Sequence, residues 1–264
     1  MSNEPVVPLS DSKFWEHAFH GTRRSQRYLP NPRWRLAHFE LDRVFKKLLP
    51  RQVGLRLLEI GCGSSVWLPY FHREFGYEVF GIDYTRTGVE QARVNLSRAG
   101  CEGSLVQADF FDMEHGLRNQ FDLVVSFGVI EHFDDPGAVI RHFGACLRPN
   151  GILITYIPNI PGIMGPMLRF VDRAFYETHK SISRDQLNQY HQEAGLDVSF
   201  SSYIQLLDMN ILHVAKLGPQ LARLAHGAFA ALDLPVLFAC RLLDRTLPSA
   251  TLSSATLVLA RKMS

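Results

Sequence analysis

The stretch that most constrains this chain is Leu57-Leu58-Glu59-Ile60-Gly61-Cys62-Gly63-Ser64-Ser65. An apolar run that breaks at Gly-x-Gly reads as a buried parallel strand entering a tight turn before a helix. The glycines let the backbone bend and let a ligand approach with no Cβ in the way. A second apolar run, Tyr77 to Ile82, closes on Asp83, 20 residues after Gly63. An acidic side chain at a second strand's tip can accept hydrogen bonds from two ribose hydroxyls. The pair therefore points to a nucleoside ligand. The dinucleotide fingerprint needs a third glycine, and Val66 stands there instead, which lowers the case for NAD or FAD.

Further motifs follow in order. Asp109-Phe110 ends the strand-like run Ser104 to Ala108. Phe121-Asp122-Leu123-Val124-Val125-Ser126-Phe127-Gly128-Val129-Ile130-Glu131-His132-Phe133 passes from strand toward helix, and Leu147 to Tyr156 contains a turn and a strand. With this series the chain resembles the class I S-adenosylmethionine-dependent methyltransferases, and among them the small-molecule, ubiquinone-biosynthesis type. The resemblance covers residues 50–160 most strongly. It implies a Rossmann-like α/β fold: a seven-stranded, mostly parallel sheet with helices on both faces and an antiparallel last strand. An N-terminal helical lid and helical insertions are expected as additions.

The resemblance also implies roles. Backbone at Gly61, Cys62 and Gly63 would face the methionine part of S-adenosylmethionine, with Glu59 supporting that loop. Asp83 would hold the ribose, with Tyr84 packed on the adenine. Asp109 would accept from the adenine amino group while Phe110 offers its backbone N–H. Ser126, Phe127 and Gly128 would line the methionine portion. Cys62 suits the loop because it is small. A strand-tip carboxylate such as Asp83 or Asp109 has no easy core role, because burying it unpaired is costly.

Glu131-His132 follows the fourth motif. A neutral imidazole there could take a proton from a hydroxyl or amine acceptor. The ubiquinone-pathway enzymes carry Glu-x-x-Glu-His at this place, associated with a divalent metal. Here Gly128 replaces the first glutamate, and one Glu and one His make a poor Mg²⁺ site, so no metal is expected. Helix-start capping is the competing role for this pair. His179, at the end of an insertion, is a second candidate base or a surface histidine. Trp15 and Tyr28 are read as lid packing residues.

The 264 residues suffice for one large α/β domain with additions. Residues 1–49 read as an arm and helical lid. Residues 50–207 form the cofactor-binding core, interrupted by an acceptor-side insertion at 159–180. An apolar helical insertion follows at 208–248, and 249–264 return as the core's last strand. Strands are expected near 55–60, 78–82, 104–108, 121–127, 151–157, 196–204 and 254–261. Helices are expected near 65–75, 86–99, 136–147 and 183–194, besides two N-terminal stretches split at Pro30-Asn31-Pro32. Asp11 or Ser10 can cap the first helix, and Ser183 with Gln186 makes a capping box. Residues 1–10 are expected to be a loose arm.

A net charge of +2 argues against nucleic acid as a partner, Arg23-Arg24 and Arg33-Trp34-Arg35 being the nearest basic cluster. Cys62, Cys101, Cys146 and Cys240 are too scattered for zinc or a disulfide scaffold. No basic start leads into an apolar core, so the cytosol is the expected compartment. Gly227 to Leu243 contains Asp233, Pro235 and Arg241, so it offers fewer than the ~18–20 uninterrupted apolar residues of a membrane span. The expected function is methyl transfer to a small, apolar or aromatic acceptor, oxygen first, then nitrogen or carbon. The apolar 208–248 segment is read as a substrate cap, a buried pair of helices, a homodimer surface or a membrane-facing patch. A non-catalytic cofactor-binding subunit, an RNA or protein methyltransferase and, more distantly, a nicotinamide oxidoreductase remain open at this point.

Overall fold

The computed structural model describes residues 6–21, 28–208, 212 and 218–264. Arg23 and Arg24 of the basic cluster, and part of the 208–248 segment, lie outside the described residues. The chain opens with α1 (Ser12–Gly21) and α2 (Leu36–Leu48). Next come β1 (Arg56–Ile60), α3 (Trp67–Phe75), β2 (Glu78–Asp83), α4 (Arg86–Ala99), β3 (Ser104–Gln107) and α5 (Phe110–Leu117). Then follow β4 (Phe121–Phe127), α6 (Pro136–Ala145), β5 (Leu147–Pro158), α7 (Met164–Val171) and α8 (Arg173–Glu177). The chain ends with α9 (Arg184–Glu193), β6 (Leu196–Leu206), α10 (Pro219–Leu242) and β7 (Ser253–Lys262).

The seven strands form one sheet in the order β3-β2-β1-β4-β5-β7-β6. The first five pair in parallel, and β7 inserts antiparallel between β5 and β6. Strand alternation sends Leu57, Leu123 and Ile154 into one apolar layer with Phe45, Phe71 and Trp67. Leu58, Val124 and Leu153 enter the other, with Ile140, Phe143 and Leu187. Burial on both faces explains why these strands read as continuous apolar runs. Strand order reverses between β1 and β4, so a crevice opens there beyond the carboxyl ends of the strands.

Four segments bear on the sequence expectation, and the helical form of the acceptor-side insertion is as expected. Asp109 starts a helix, α5, that the sequence reading lacks; its carboxylate accepts from Phe111 N–H at 2.9 Å. The acceptor-side insertion folds into α7 and α8, and Gly165 lies so close to the Ile160 carbonyl that a Cβ would sit 2.1 Å from its oxygen. The arm is docked rather than loose where it is described. Leu9 N–H donates to the His132 carbonyl at 2.7 Å, Asp134 N–H to the Val7 carbonyl at 3.0 Å, and Val7 N–H to the Asp134 carboxylate at 3.0 Å.

The fourth is α10, one 24-residue helix with Pro235 inside it. Its inner side packs Ala222, Ala225 and Phe229 beside α7, and Val236, Leu237 and Cys240 beside α2. Its outer side exposes Leu221, Leu224, Leu232, Leu234, Phe238 and Leu242. Gln220–Leu242 is long and apolar enough to cross a membrane by length and composition alone, with Asp233, Pro235 and Arg241 interrupting the run. Asp233 is buried against the protein, so it does not break the outer apolar face.

Candidate functional site

The glycine turn is held from three sides before any ligand arrives. Gly61 and Cys62 N–H both donate to the Ile82 carbonyl, at 2.8 and 3.1 Å. Asn95 of α4 donates to the Ser64 and Ser65 carbonyls at 3.1 Å. Asp83 accepts from Gly63 N–H at 2.8 Å on one oxygen, and from Thr85 N–H and hydroxyl at 2.8 and 2.5 Å on the other. Burial pushes the Asp83 pKa up while these hydrogen bonds pull it back. A carboxylate offers about four lone-pair sites, so acceptor capacity remains on the Gly63 side. Gly61 has φ +76° and a Cβ there would meet Val129 Cγ2 at 2.4 Å, so only glycine fits this bend.

Glu59 is buried beneath the turn and accepts from Ser65 Oγ at 2.6 Å. Ser65 Oγ in turn accepts from Trp67 and Leu68 N–H, at 3.0 and 3.1 Å, which caps the start of α3. Burial pushes Glu59 up to about 8, so the neutral carboxyl is the favoured form at pH 7. Glu59 therefore braces the loop and does not line the cavity. Cys62 points into the core with no exposure, and burial raises its thiol pKa. Ser126 is likewise enclosed, its hydroxyl making no hydrogen bond among the described residues.

A cavity of about 360 Å³ lies over the strand ends. Gly61, Gly63, Asp83, Tyr84, Asp109, Phe110, Phe127, Gly128 and His132 all line it. Ile60, Ile82, Ala108 and Phe143 add an apolar wall. Val6, Pro8, Ser10 and Trp15 roof it, with Phe111, Val129 and Phe133 nearby. The sequence reading missed most of these roof residues, because the arm reaches the site only through long-range pairing with residues 132–134. Tyr28 is half-buried and does not line the cavity. Asp109 is exposed and keeps one oxygen beyond its capping bond to α5.

At one end of the cavity the acceptor-side insertion meets the segment after β4. His132 Nδ1 lies 2.7 Å from the Thr178 carbonyl, so the ring N–H donates there and leaves Nε2 as acceptor. His179 Nδ1 lies 2.7 Å from the Phe175 carbonyl, and the two imidazole centroids are 4.4 Å apart. Trp15 packs edge-on against His132 at 4.7 Å. Burial, reinforced by His179, lowers the His132 pKa to about 3, and burial pushes Glu131 up to about 8. His132 is therefore held neutral, with Nε2 as its acceptor atom. Gly128, at φ +69°, has the backbone form that a glutamate adopts only with strain.

The lining fits a nucleoside ligand. A strand-tip acid stands ready for hydroxyls, an apolar and aromatic wall accepts a base, and a Cβ-free bend admits the chain that follows. A family model described as a methyltransferase domain matches residues 33–199. A ubiquinone biosynthesis O-methyltransferase from Nitrobacter winogradskyi is 27% identical over 157 residues, 56% of this chain and 59% of that protein. The chain thus spans about three fifths of that relative. Among solved structures, a putative sarcosine dimethylglycine methyltransferase from Galdieria sulphuraria superposes with TM-score 0.61 at 16% identity, over 96% of this chain and 98% of that one. The [4+2]-cyclase SpnF superposes equally well, with TM-score 0.61 at 18% identity over 100% and 99% of the two chains. These two likenesses concern the fold, which hosts more than one chemistry.

Proposed function

The chain belongs to the methyltransferase-domain family and uses S-adenosylmethionine, and from that premise we propose that it methylates a small, largely apolar acceptor, at oxygen by first choice. The observation that carries this reading is the convergence of Gly61, Asp83 and Asp109 on one roofed cavity that His132 also lines, with Glu131 and His179 beside that histidine. S-adenosylmethionine, when bound, supplies an electrophilic methyl group whose bond to sulfur breaks as the acceptor oxygen's bond to carbon forms. The Gly61–Gly63 backbone is proposed to seat the methionine portion, Asp83 the ribose and Asp109 the adenine amino group. Phe110 offers an N–H that the first turn of α5 leaves without a helical partner. Tyr84, Ile82 and Phe143 pack around the base. Trp15 and the arm keep water out. His132, which lines the cavity with Nε2 left as acceptor, is proposed to receive the acceptor's hydroxyl, fix its line of approach and take its proton as the methyl transfers. Alignment alone can supply several of the ~7–11 kcal/mol available to well-oriented reactants.

The O-methyltransferase name of a 27% identical relative supports oxygen loosely, and the enclosed apolar lining supports a small molecule over RNA or protein. The exposed outer face of α10 supports a homodimer surface, because contiguous apolar area on a helix usually meets a partner. The decisive experiment is calorimetry with S-adenosylhomocysteine on wild type and Asp83→Ala, followed by an acceptor screen for S-adenosylhomocysteine release. Micromolar binding that weakens at least ~10-fold in the variant is expected, an energy of about 1.4 kcal/mol. Folded protein that takes up neither nucleoside would end this reading.

A further inference from the structure

Of the roof residues Val6, Pro8, Ser10 and Trp15, only Trp15 is aromatic. Its indole is locked in place. Nε1–H donates to Ser10 Oγ at 2.9 Å. Asp11 caps α1 by accepting from Phe14 N–H at 2.8 Å. One residue past Trp15, the Glu16 carboxylate accepts from Arg86 N–H at 2.6 Å and Thr87 N–H at 3.4 Å, which ties α1 to the start of α4. The rings of Phe14, His132 and Phe175 meet the indole at 83°, 70° and 75°, so among the described residues none of these lies flat against it.

Charge is spread unevenly along the cavity. The acidic side chains that line it, Asp83 and Asp109, stand at the tips of β2 and β3. The segment after β4 lines it with Gly128, Val129, His132 and Phe133, and the buried Glu131 is not part of that lining. A cation at this end therefore meets aromatic rings and no lining carboxylate among the described residues. An indole face attracts a cation that lies within about 6 Å of it. In-line transfer to an oxygen held at His132 Nε2 sets the methyl carbon about 3–3.5 Å from that oxygen, with the sulfur beyond it. Trp15, its ring centroid 4.7 Å from that of His132, borders this space. We propose that Trp15 is the residue by which this chain tells S-adenosylmethionine from its demethylated product, the indole face attracting the sulfonium charge. The assignment rests on the methyl-transfer reading, which places the reacting end at His132. As the methyl leaves, its bonding electron pair stays on sulfur, so the charge is lost and this attraction ends with it.

The test is calorimetry on the full chain with S-adenosylmethionine and S-adenosylhomocysteine, for wild type, Trp15→Leu and Trp15→Phe. Leucine keeps apolar bulk without an aromatic face, and phenylalanine keeps a smaller face. Trp15→Leu should weaken S-adenosylmethionine binding about 10-fold more than S-adenosylhomocysteine binding, a difference of about 1.4 kcal/mol. Trp15→Phe should restore part of that difference. Retained S-adenosylhomocysteine binding reports a folded site in each variant. Equal losses for the two nucleosides would overturn the assignment, reduce Trp15 to a roof residue and leave the methyl-transfer reading standing. So would a phenylalanine variant that discriminates no better than the leucine one. Wild-type protein that binds neither nucleoside would remove both the assignment and the reading beneath it.

Discussion

Gly61 shows how one residue decides the site. Its φ of +76° already disfavours any side chain, and Val129 Cγ2 fills the space where a Cβ would go. Gly61→Ala should therefore cost about 1–3 kcal/mol of stability in urea unfolding, the range for a residue held in a disfavoured backbone region. Val129→Ala in the same chain should recover the steric part only, since the backbone strain stays. Asp83 carries two jobs, bonding the Gly63 amide and facing the cavity, so its loss loosens the turn as well as the ligand's grip. Asp109 carries two jobs as well, and the capping one was hidden because α5, with Gly116 inside it, has little apolar periodicity to announce it.

At the scale of elements, α9 was the most legible helix. Ser183 Oγ accepts from Gln186 N–H at 3.2 Å, and Gln186 Oε1 accepts from Ser183 N–H at 2.9 Å. Ser183→Ala should cost about 1 kcal/mol. In a chain of this size that lowers the melting temperature by about 2–4 °C in calorimetry, with cofactor binding unchanged. The arm tells the opposite story. Its residues 6–9 carry no periodic signal and take their conformation from the segment after β4. Asp134→Ala removes the acceptor for Val7 N–H, so stopped-flow fluorescence should show faster S-adenosylhomocysteine release with the fold intact. Equal release rates would separate the arm from the roof of the cavity.

Across the whole molecule, buried titratable groups set the pH dependence. Glu40, which takes a hydrogen bond from Gln205 N–H and joins α2 to β6, is pushed up to about 7 by burial, and Glu59 to about 8. Their folded pKa values lie above the unfolded value of 4.5, so the stability they favour is present below that pH and is lost as pH rises through about 7 and 8. His191, buried with Nδ1 on the Leu187 carbonyl and Nε2 on Thr155, is held down at about 4. Its contribution is present above 6.5 and is lost as pH falls through about 4. Thermal melts should therefore be highest on the acidic side and decline between about pH 4.5 and 8, most steeply between about pH 6.5 and 7, where His191 no longer offsets the loss. Glu40→Gln should flatten that decline, and an unchanged slope would remove Glu40 from the account.

Read alone, the chain determined the sheet. Continuous apolar runs such as Leu57 to Ile60 and Leu123 to Val125 must be covered on both faces, and glycine and aspartate at the ends of such runs mark the nucleoside side. Tertiary structure alone decided what closes over that side. The roofing of the cavity by Val6 and Pro8, the joining of His179 to Glu131 and His132, and the outward apolar face of α10 depend on contacts between distant residues. Local periodicity carries no record of such contacts, because their free energy is gained only when separate elements meet.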